Sequence, residues 1–432
     1  MKKILLIILP AFAFLQCTAP KVETGKSNFK ELGNYLSTEV KNGKLRGVHA
    51  MVYHEGTLVF DQFYGYRDFE ALDSMRGDEQ YFIQSMTKPI VSVGLMILVE
   101  EGKISLDDPV GKYLPQFSTP LVAKNPNEGI DVEKYPAKRS PTVKELLSHT
   151  SGMSHGLTAT ALDAQLLQRA LSPENKTLND RLKVLSDFPF LYEPGTRWNY
   201  SFSTDLLAGV IEKVSGQPLD QFLEERIFQP LGMKNTGYNL TESQAARIQV
   251  VYDFMPDTTL VKAANQPSPS GNTLFAGVNA LFSTTQDYLT FAKMLLGQGE
   301  LNGVRILKPE TISLMTTDFT NGLLGHPQKE EVIAKIANGI VVDKDLNFVL
   351  EPGYGFGLGF GILLDSLAAE RPTATNGEFF WGGANSTYFF INPKENLIGV
   401  MMTQIGFLPN PNPYHYHYGD QFRKHIYGSI NK

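Results

Sequence analysis

A serine three residues ahead of a lysine can become a nucleophile. On a helix the two side chains share one face a turn apart, so an amine stands beside the hydroxyl. Ser85-Met86-Thr87-Lys88 has this spacing, within residues 81–101, YFIQSMTKPIVSVGLMILVEE. Pro89 is tolerated only in the first turn of a helix, where a missing N–H costs no hydrogen bond. The run Ile90, Val91, Val93, Leu95, Met96, Ile97 and Leu98 is apolar enough for a buried helix, and Gly102 follows as a C-cap. Ser85 is therefore expected at a helix N-terminus, where the helix dipole favours developing negative charge. The spacing alone is weak. Ser-x-x-Lys also occurs at Ser27–Lys30 and Ser429–Lys432, near the chain ends in polar surroundings. The competing reading of Ser85 is a capping serine beside a solvated lysine.

A serine–lysine pair needs a relay to protonate the leaving group, and Tyr200 is the candidate. It lies in Trp198-Asn199-Tyr200-Ser201, after the turn Pro194-Gly195-Thr196 and before a predicted helix. A free phenol titrates near pH 10. A nearby ammonium would favour its phenolate and let it act as a base; the alternative is a packing tyrosine. The third element is Trp381-Gly382-Gly383-Ala384. Paired glycines weaken a strand and mark close approach of a ligand or a backbone. A backbone N–H there, opposite that of Ser85, would form an oxyanion hole; a simple bulge is the other possibility.

Two other motifs compete with these elements. Gly152-Met153-Ser154-His155-Gly156 matches the Gly-x-Ser-x-Gly elbow, but that elbow needs a buried strand before the serine and a helix after it. Here Val143–His149 reads as a helix and a loop follows. His415 and His417 form a pair without a carboxylate or cysteine partner, which is weak for a metal. The chain contains no His-Glu-x-x-His, no glycine-rich phosphate loop and no Cys-x-x-Cys. No metal and no cofactor is expected.

Taken together, the three elements resemble those of the serine β-lactamase-like superfamily, in particular the esterases similar to class C β-lactamases. The resemblance spans roughly residues 35–425 through QSMTKP, LLSHTSGM, PGTRWNYS, VSGQPL, LFSTTQDY, GYGFGLGF and WGGANSTYFF. It implies Ser85 as the acylated nucleophile, Lys88 as its proton acceptor or electrostatic partner, and Tyr200 as general base. Trp381-Gly382-Gly383 stands where the lactamases carry Lys-Thr-Gly, which implies Ala384 N–H as the second oxyanion donor. Two departures concern the substrate. Trp381 replaces a lysine that faces a carboxylate, and Phe202 replaces an asparagine that contacts an amide. Both remove polar recognition of a β-lactam, so an ester with an apolar part is the expected substrate. The alternatives are a β-lactamase or D-alanyl-D-alanine carboxypeptidase, and a non-catalytic binding or sensor lipoprotein on the same fold.

The elements that must position these residues follow in order. Phe29 to about Lys44 has helical periodicity, and GVHAMVYHEGTLVFDQFYGYRD reads as two strands around Glu55–Gly56. Residues 107–141 read as a long proline-containing loop and VKELLSHTSGM as a short helix ending at Gly152. Residues 155–193 read as a polar helical cap, and helices follow the Tyr200 turn and open at Ser283-Thr284-Thr285. Residues 316–350 read as an extended insert. YGFGLGFGILLD, EFFWGGANSTYFFINP and NLIGVMMTQ turn to strands, with a turn at Pro393–Asn396 and a closing helix over about 420–427. The expected fold is α/β (α+β) and β-lactamase/transpeptidase-like. An antiparallel sheet is built from the N- and C-terminal strands, with a mainly helical region of about 85–350 inserted.

A chain of 432 residues exceeds a typical single core, so one large or two interleaved domains are expected, and 42% hydrophobic with 19% charged residues marks an ordinary globular protein. Net charge of −6, with no basic stripe, argues against nucleic acid as a partner. Lys2, Lys3 and the apolar stretch Ile4–Phe14 form a secretory-signal pattern too short for a confident membrane span. Cys17, the only cysteine, stands directly after it and resembles a bacterial lipoprotein acceptor, although Gln16 occupies a place where a small residue is usual. The expected organisation is a signal over 1–17, a tether over 18–30 and a hydrolase domain over 31–432. The expected setting is a bacterial membrane surface facing the periplasm, held there by lipid, with a small ester, amide or peptide-like substrate and no evident protein partner.

Overall fold

The computed structural model describes residues 29–156, 160–255, 257–320, 323, 352–371, 374–406 and 415–430, with backbone alone at 415–417. The expected signal, Cys17 and nearly all of the tether, most of the 316–350 segment, and the side chains of His415 and His417 lie outside these residues.

Helix α1 (Lys30–Lys41) buries Leu32 and Leu36, and the chain then enters a hairpin, β1 (Gly47–His54) and β2 (Thr57–Asp68). Glu55 and Gly56 both have positive φ, 47° and 83°, the two-residue turn whose twist matches that of the strands. After β3 (Asp73–Ser74) the chain leaves the sheet for α2 (Thr87–Glu100), α3 (Val143–Leu147), α4 (Ala161–Ala170), α5 (Leu178–Asp187), α6 (Ser203–Ser215) and α7 (Thr285–Leu296). It returns as β4 (Tyr354–Phe356), β5 (Gly361–Leu363), β6 (Phe379–Gly383), β7 (Thr387–Asn392) and β8 (Leu397–Thr403), and closes with α8 (His415–Ile430). The eight strands form one antiparallel sheet, in the order β4-β5-β6-β7-β8-β1-β2-β3. Both ends of the chain thus meet at β8–β1, with Val48 opposite Thr403 and His54 opposite Leu397.

Successive strand residues point to opposite faces, so a strand covered on both sides reads as an unbroken apolar run. Every residue of β8, LIGVMMT, is buried. Leu397 and Met401 pack with Leu32 and Leu36 of α1 and Phe422 and Ile426 of α8. Ile398, Val400 and Met402 pack on the other side with α2 and α7. The inserted helices therefore occupy one face, and α1 and α8 the other.

Several expected boundaries differ, the closing helix among them, which runs from His415 to Ile430. The Tyr354–Asp365 stretch is a hairpin of two short strands, because Gly359 turns the chain at φ 99° against the Ser92 side chain. EFFWGGANSTYFFINP likewise divides into β6 and β7. Helix α3 ends at Leu147 instead of reaching Gly152: His149 takes φ 55°, which no helix continues. The 107–141 loop holds a small two-stranded pair, Leu121–Ala123 with Lys134–Pro136. Among the described residues no helix is long and apolar enough to cross a membrane, and no group of histidine, cysteine and acidic side chains is arranged to hold a metal ion.

Candidate active site

Residues Thr87 to Leu98 of α2 are all buried, so this helix is the axis around which the inserted region packs. Ser85 precedes it on a 3-10 turn, Gln84–Met86, that runs straight into the helix. Gln84 has φ 49°, a conformation that costs a non-glycine residue on the order of 1–3 kcal/mol and needs support from its surroundings. Support comes from the neighbouring strands. Asn385 Nδ2 and Gln404 Nε2 both donate to the Phe82 carbonyl, at 3.3 and 3.2 Å. The Met86 carbonyl accepts the Tyr288 hydroxyl at 3.0 Å.

The three sequence-predicted catalytic side chains meet at one hydroxyl. Lys88 Nζ donates to Ser85 Oγ at 3.1 Å, and the Tyr200 hydroxyl donates to the same oxygen at 2.9 Å. Lys88 is 2% exposed, while Ser85 remains partly open to solvent. Lys88 also donates to the Val278 carbonyl at 2.9 Å and lies 4.6 Å from the centre of the Tyr200 ring. Burial lowers the Lys88 amine to about 7, with Asp205 opposing the shift. Burial pushes Tyr200 the other way, well above its usual value, only partly offset by hydrogen bonds with Ser85 and Trp381. The expectation that a nearby ammonium would favour the phenolate is thus reversed. Desolvation disfavours both charged forms, so an easily deprotonated amine faces a protonated phenol.

Tyr200 is fixed by lacing between the loop after α3 and the turn before α6. Asn199 N–H donates to the His149 carbonyl at 2.8 Å, Asn199 Nδ2 to the Met153 carbonyl at 2.7 Å, and Phe202 N–H to the Ser154 carbonyl at 3.0 Å. His149 Nδ1 pairs with Ser201 Oγ at 3.0 Å, and the His149 ring meets Tyr200 edge-on. The His155 ring lies between Tyr200 and Phe202, with centroid distances of 4.6 and 4.7 Å and interplanar angles of 18° and 7°. Sequence reasoning singled out neither histidine for the serine–lysine site. His149 lay within the motif LLSHTSGM, and its positive φ is invisible in the sequence.

Phe202, expected to contact substrate, is buried behind Tyr200. The side chain is 1% exposed, stacked on His155 with the Arg181 guanidinium near its other surroundings. It supports the tyrosine from behind. Trp381 is 5% exposed and packs 5.4 Å from Tyr200 and 5.1 Å from Phe356, forming a wall beside the phenol. Gly383 approaches the nucleophile's segment as the paired glycines implied: a Cβ there would stand 2.3 Å from the Ile83 carbonyl. The β6–β7 ladder ends at Gly383↔Thr387, so Ala384 lies in the turn beyond it, with its N–H outside the sheet pairing.

The Ser154 elbow is absent. No strand precedes it, Ser154 is 3% exposed, and its Oγ accepts the Gly156 N–H at 2.8 Å. Of the other Ser-x-x-Lys pairs, Ser429 lies within α8, while Ser27 and Lys432 fall outside the described residues.

The family and the fold of this chain recur among known proteins. A family described as Beta-lactamase matches residues 32–421. Protein Rv1367c of Mycobacterium tuberculosis is 31% identical over 369 residues, covering 84% of this chain and 86% of that protein. Esterase EstB of Burkholderia gladioli is 26% identical over 374 residues, covering 85% and 88%. The solved structure of EstCE1, a hydrolase with promiscuous acyltransferase activity, superposes with a TM-score of 0.73 at 24% identity, covering 93% of this chain and 98% of that one.

Proposed function

The chain belongs to the Beta-lactamase family, and from that premise we propose that it is a carboxylic-ester hydrolase working through an acyl-enzyme on Ser85. It is a serine hydrolase with the β-lactamase/transpeptidase-like fold. The reading rests above all on the buried Lys88 amine 3.1 Å from a partly exposed Ser85 hydroxyl. An amine held near 7 is substantially unprotonated at neutral pH and accepts the serine proton as Oγ attacks the ester carbonyl. The backbone N–H groups of Ser85 and Ala384 receive the oxyanion, each donor worth about 3–4 kcal/mol in the transition state. Tyr200, held protonated, gives its proton to the departing alkoxide, and the proton taken up by Lys88 restores the phenol. Water then repeats the sequence on the acyl-enzyme and releases the acid.

Trp381 supports the ester over a β-lactam. The wall it forms with Tyr200 and Phe356 is aromatic, and it supplies no cation for a substrate carboxylate. Losing a charge-assisted contact costs about 1.5–3 kcal/mol, or roughly tenfold to more than a hundredfold in binding. Each buried methylene of an acyl chain contributes about 0.8 kcal/mol until the pocket is full. The comparison to make is kcat/KM for an aryl butyrate against a chromogenic cephalosporin. The ester value is expected to be higher. A cephalosporin value equal to it or above would overturn the substrate reading and leave Ser85 as nucleophile.

We also propose, from Lys2, Lys3, the apolar run to Phe14 and the solitary Cys17, that the enzyme is exported and held by lipid at a periplasm-facing membrane surface.

A further inference from the structure

Lys88 is anchored from behind by a chain of contacts that begins on a different helix. Its Nζ donates to the Val278 carbonyl at 2.9 Å, and the Val278 N–H donates to Asp205 Oδ1 at 3.0 Å. The other carboxylate oxygen, Oδ2, accepts from Arg181 Nη1 at 3.2 Å. Asp205 is wholly buried in the first turn of α6, and Arg181 on α5 is 4% exposed. The loop carrying Val278 is pressed against the start of α6, where a Cβ on Gly277 would come 2.1 Å from the Thr204 carbonyl. The Tyr238 hydroxyl pins the Ala276 carbonyl at 2.9 Å. A buried ion pair adds little net stability over apolar packing, so its presence directly behind a lysine calls for another reason.

We propose that Asp205 is a positioning residue: through the Val278 peptide it fixes where Lys88 points, and through its charge, balanced by Arg181, it sets how readily Lys88 takes the Ser85 proton. The proposal rests on the reading of Ser85 as nucleophile and Lys88 as its base. The groups facing Lys88 are few. Ser85 and Tyr200 are its neutral partners, and His149 and His155 from the loop after α3 are kept neutral by burial well below their usual range. Asp205 and Arg181 are the charges that remain on α6 and α5. The carboxylate favours the ammonium form and so opposes the burial of Lys88, while the guanidinium limits that effect.

The sign of each substitution follows. Asp205→Asn keeps an oxygen for the Val278 N–H but removes the negative charge, so Lys88 loses its proton at lower pH. Arg181→Gln leaves the carboxylate unbalanced, so Lys88 holds its proton to higher pH. The experiment is kcat/KM for an aryl ester from pH 5 to 10 in wild type and both variants, with thermal melts to confirm folding. The acid-limb midpoint should move down in Asp205→Asn and up in Arg181→Gln, each by about half a pH unit or more, as expected for one charge removed at close range. Midpoints that stay at the wild-type value, whatever the loss in height, would overturn the proposal and leave the pair a packing role. Where one variant does not fold, the other decides, because each carries its own predicted direction. A wild-type profile without an acid limb, or activity surviving Ser85→Ala, would instead remove the nucleophile–base reading beneath it, a result distinct from a limb that is present and does not move.

Discussion

Lys88 Nζ is held between Ser85 Oγ at 3.1 Å and the Val278 carbonyl at 2.9 Å, so one buried amine joins the nucleophile to a backbone acceptor 190 residues beyond Lys88 itself. The contact to Ser85 follows from a helical turn. The contact to Val278 exists only once α2, α6 and the 276–281 loop have packed, and it directs the amine while burial disfavours its charge.

Activity should depend on pH through Lys88. Burial lowers this amine from 10.5 to about 7, so the reactive neutral form is lost as pH falls below that value. We expect kcat/KM to rise through about pH 7 and level above it. Tyr200, raised by burial, stays protonated across that range and adds no alkaline fall below pH 10. A profile flat from pH 5 to 9 would contradict this. The same shift has a stability consequence: between about 7 and 10.5 the unfolded chain binds the extra proton, so this group's contribution increases stability as pH rises across that window.

Tyr200→Phe removes the hydroxyl 2.9 Å from Ser85 and retains the ring that packs on His155 and Trp381. Loss of a proton-transfer group of this kind costs about 10²–10⁴ in rate. Turnover of an aryl ester should fall within that range with the melting temperature little changed. A loss of only a few-fold would make Tyr200 a packing residue.

Gly383→Ala tests the close approach of β6 to the nucleophile's segment. The new Cβ would stand 2.3 Å from the Ile83 carbonyl, so the Ser85 turn or the Ala384 turn must shift. Displacing one oxyanion donor costs about 10²–10³ in kcat. Steady-state kinetics should show kcat falling by that order with KM much less affected. An unchanged kcat would separate this glycine from the chemistry.

The serine–lysine helix was legible because Pro89 marks a first turn and the following run is apolar on every side, which suits a buried axis. Tyr200 was legible from the turn before it, and the sheet from the strands at both ends of the chain. Phe202 shows what spacing does not reveal: its side chain is buried and stacks on His155, a neighbour 47 positions earlier in sequence. The protonation of Tyr200 is hidden from the sequence for a related reason. In sequence Lys88 reads as an ordinary ammonium, and only tertiary packing desolvates it. The link from Lys88 to Asp205 runs through a backbone carbonyl, which no residue type signals.

Cys17→Ser should release the protein from the membrane fraction without changing ester turnover, since eleven residues, 18–28, lie in sequence between Cys17 and Phe29, the first buried core residue described. Fractionation and radiolabelled palmitate incorporation measure this. A wild-type protein that is already soluble and unlabelled would show that Gln16 prevents lipid attachment.

The measurement that bears most directly on the account is the site of covalent labelling by a fluorophosphonate, read by peptide mass spectrometry. A single adduct on the peptide containing Ser85 is predicted, abolished together with aryl-ester hydrolysis in a folded Ser85→Ala variant. An adduct on Ser154, or hydrolysis that persists in Ser85→Ala, would contradict it.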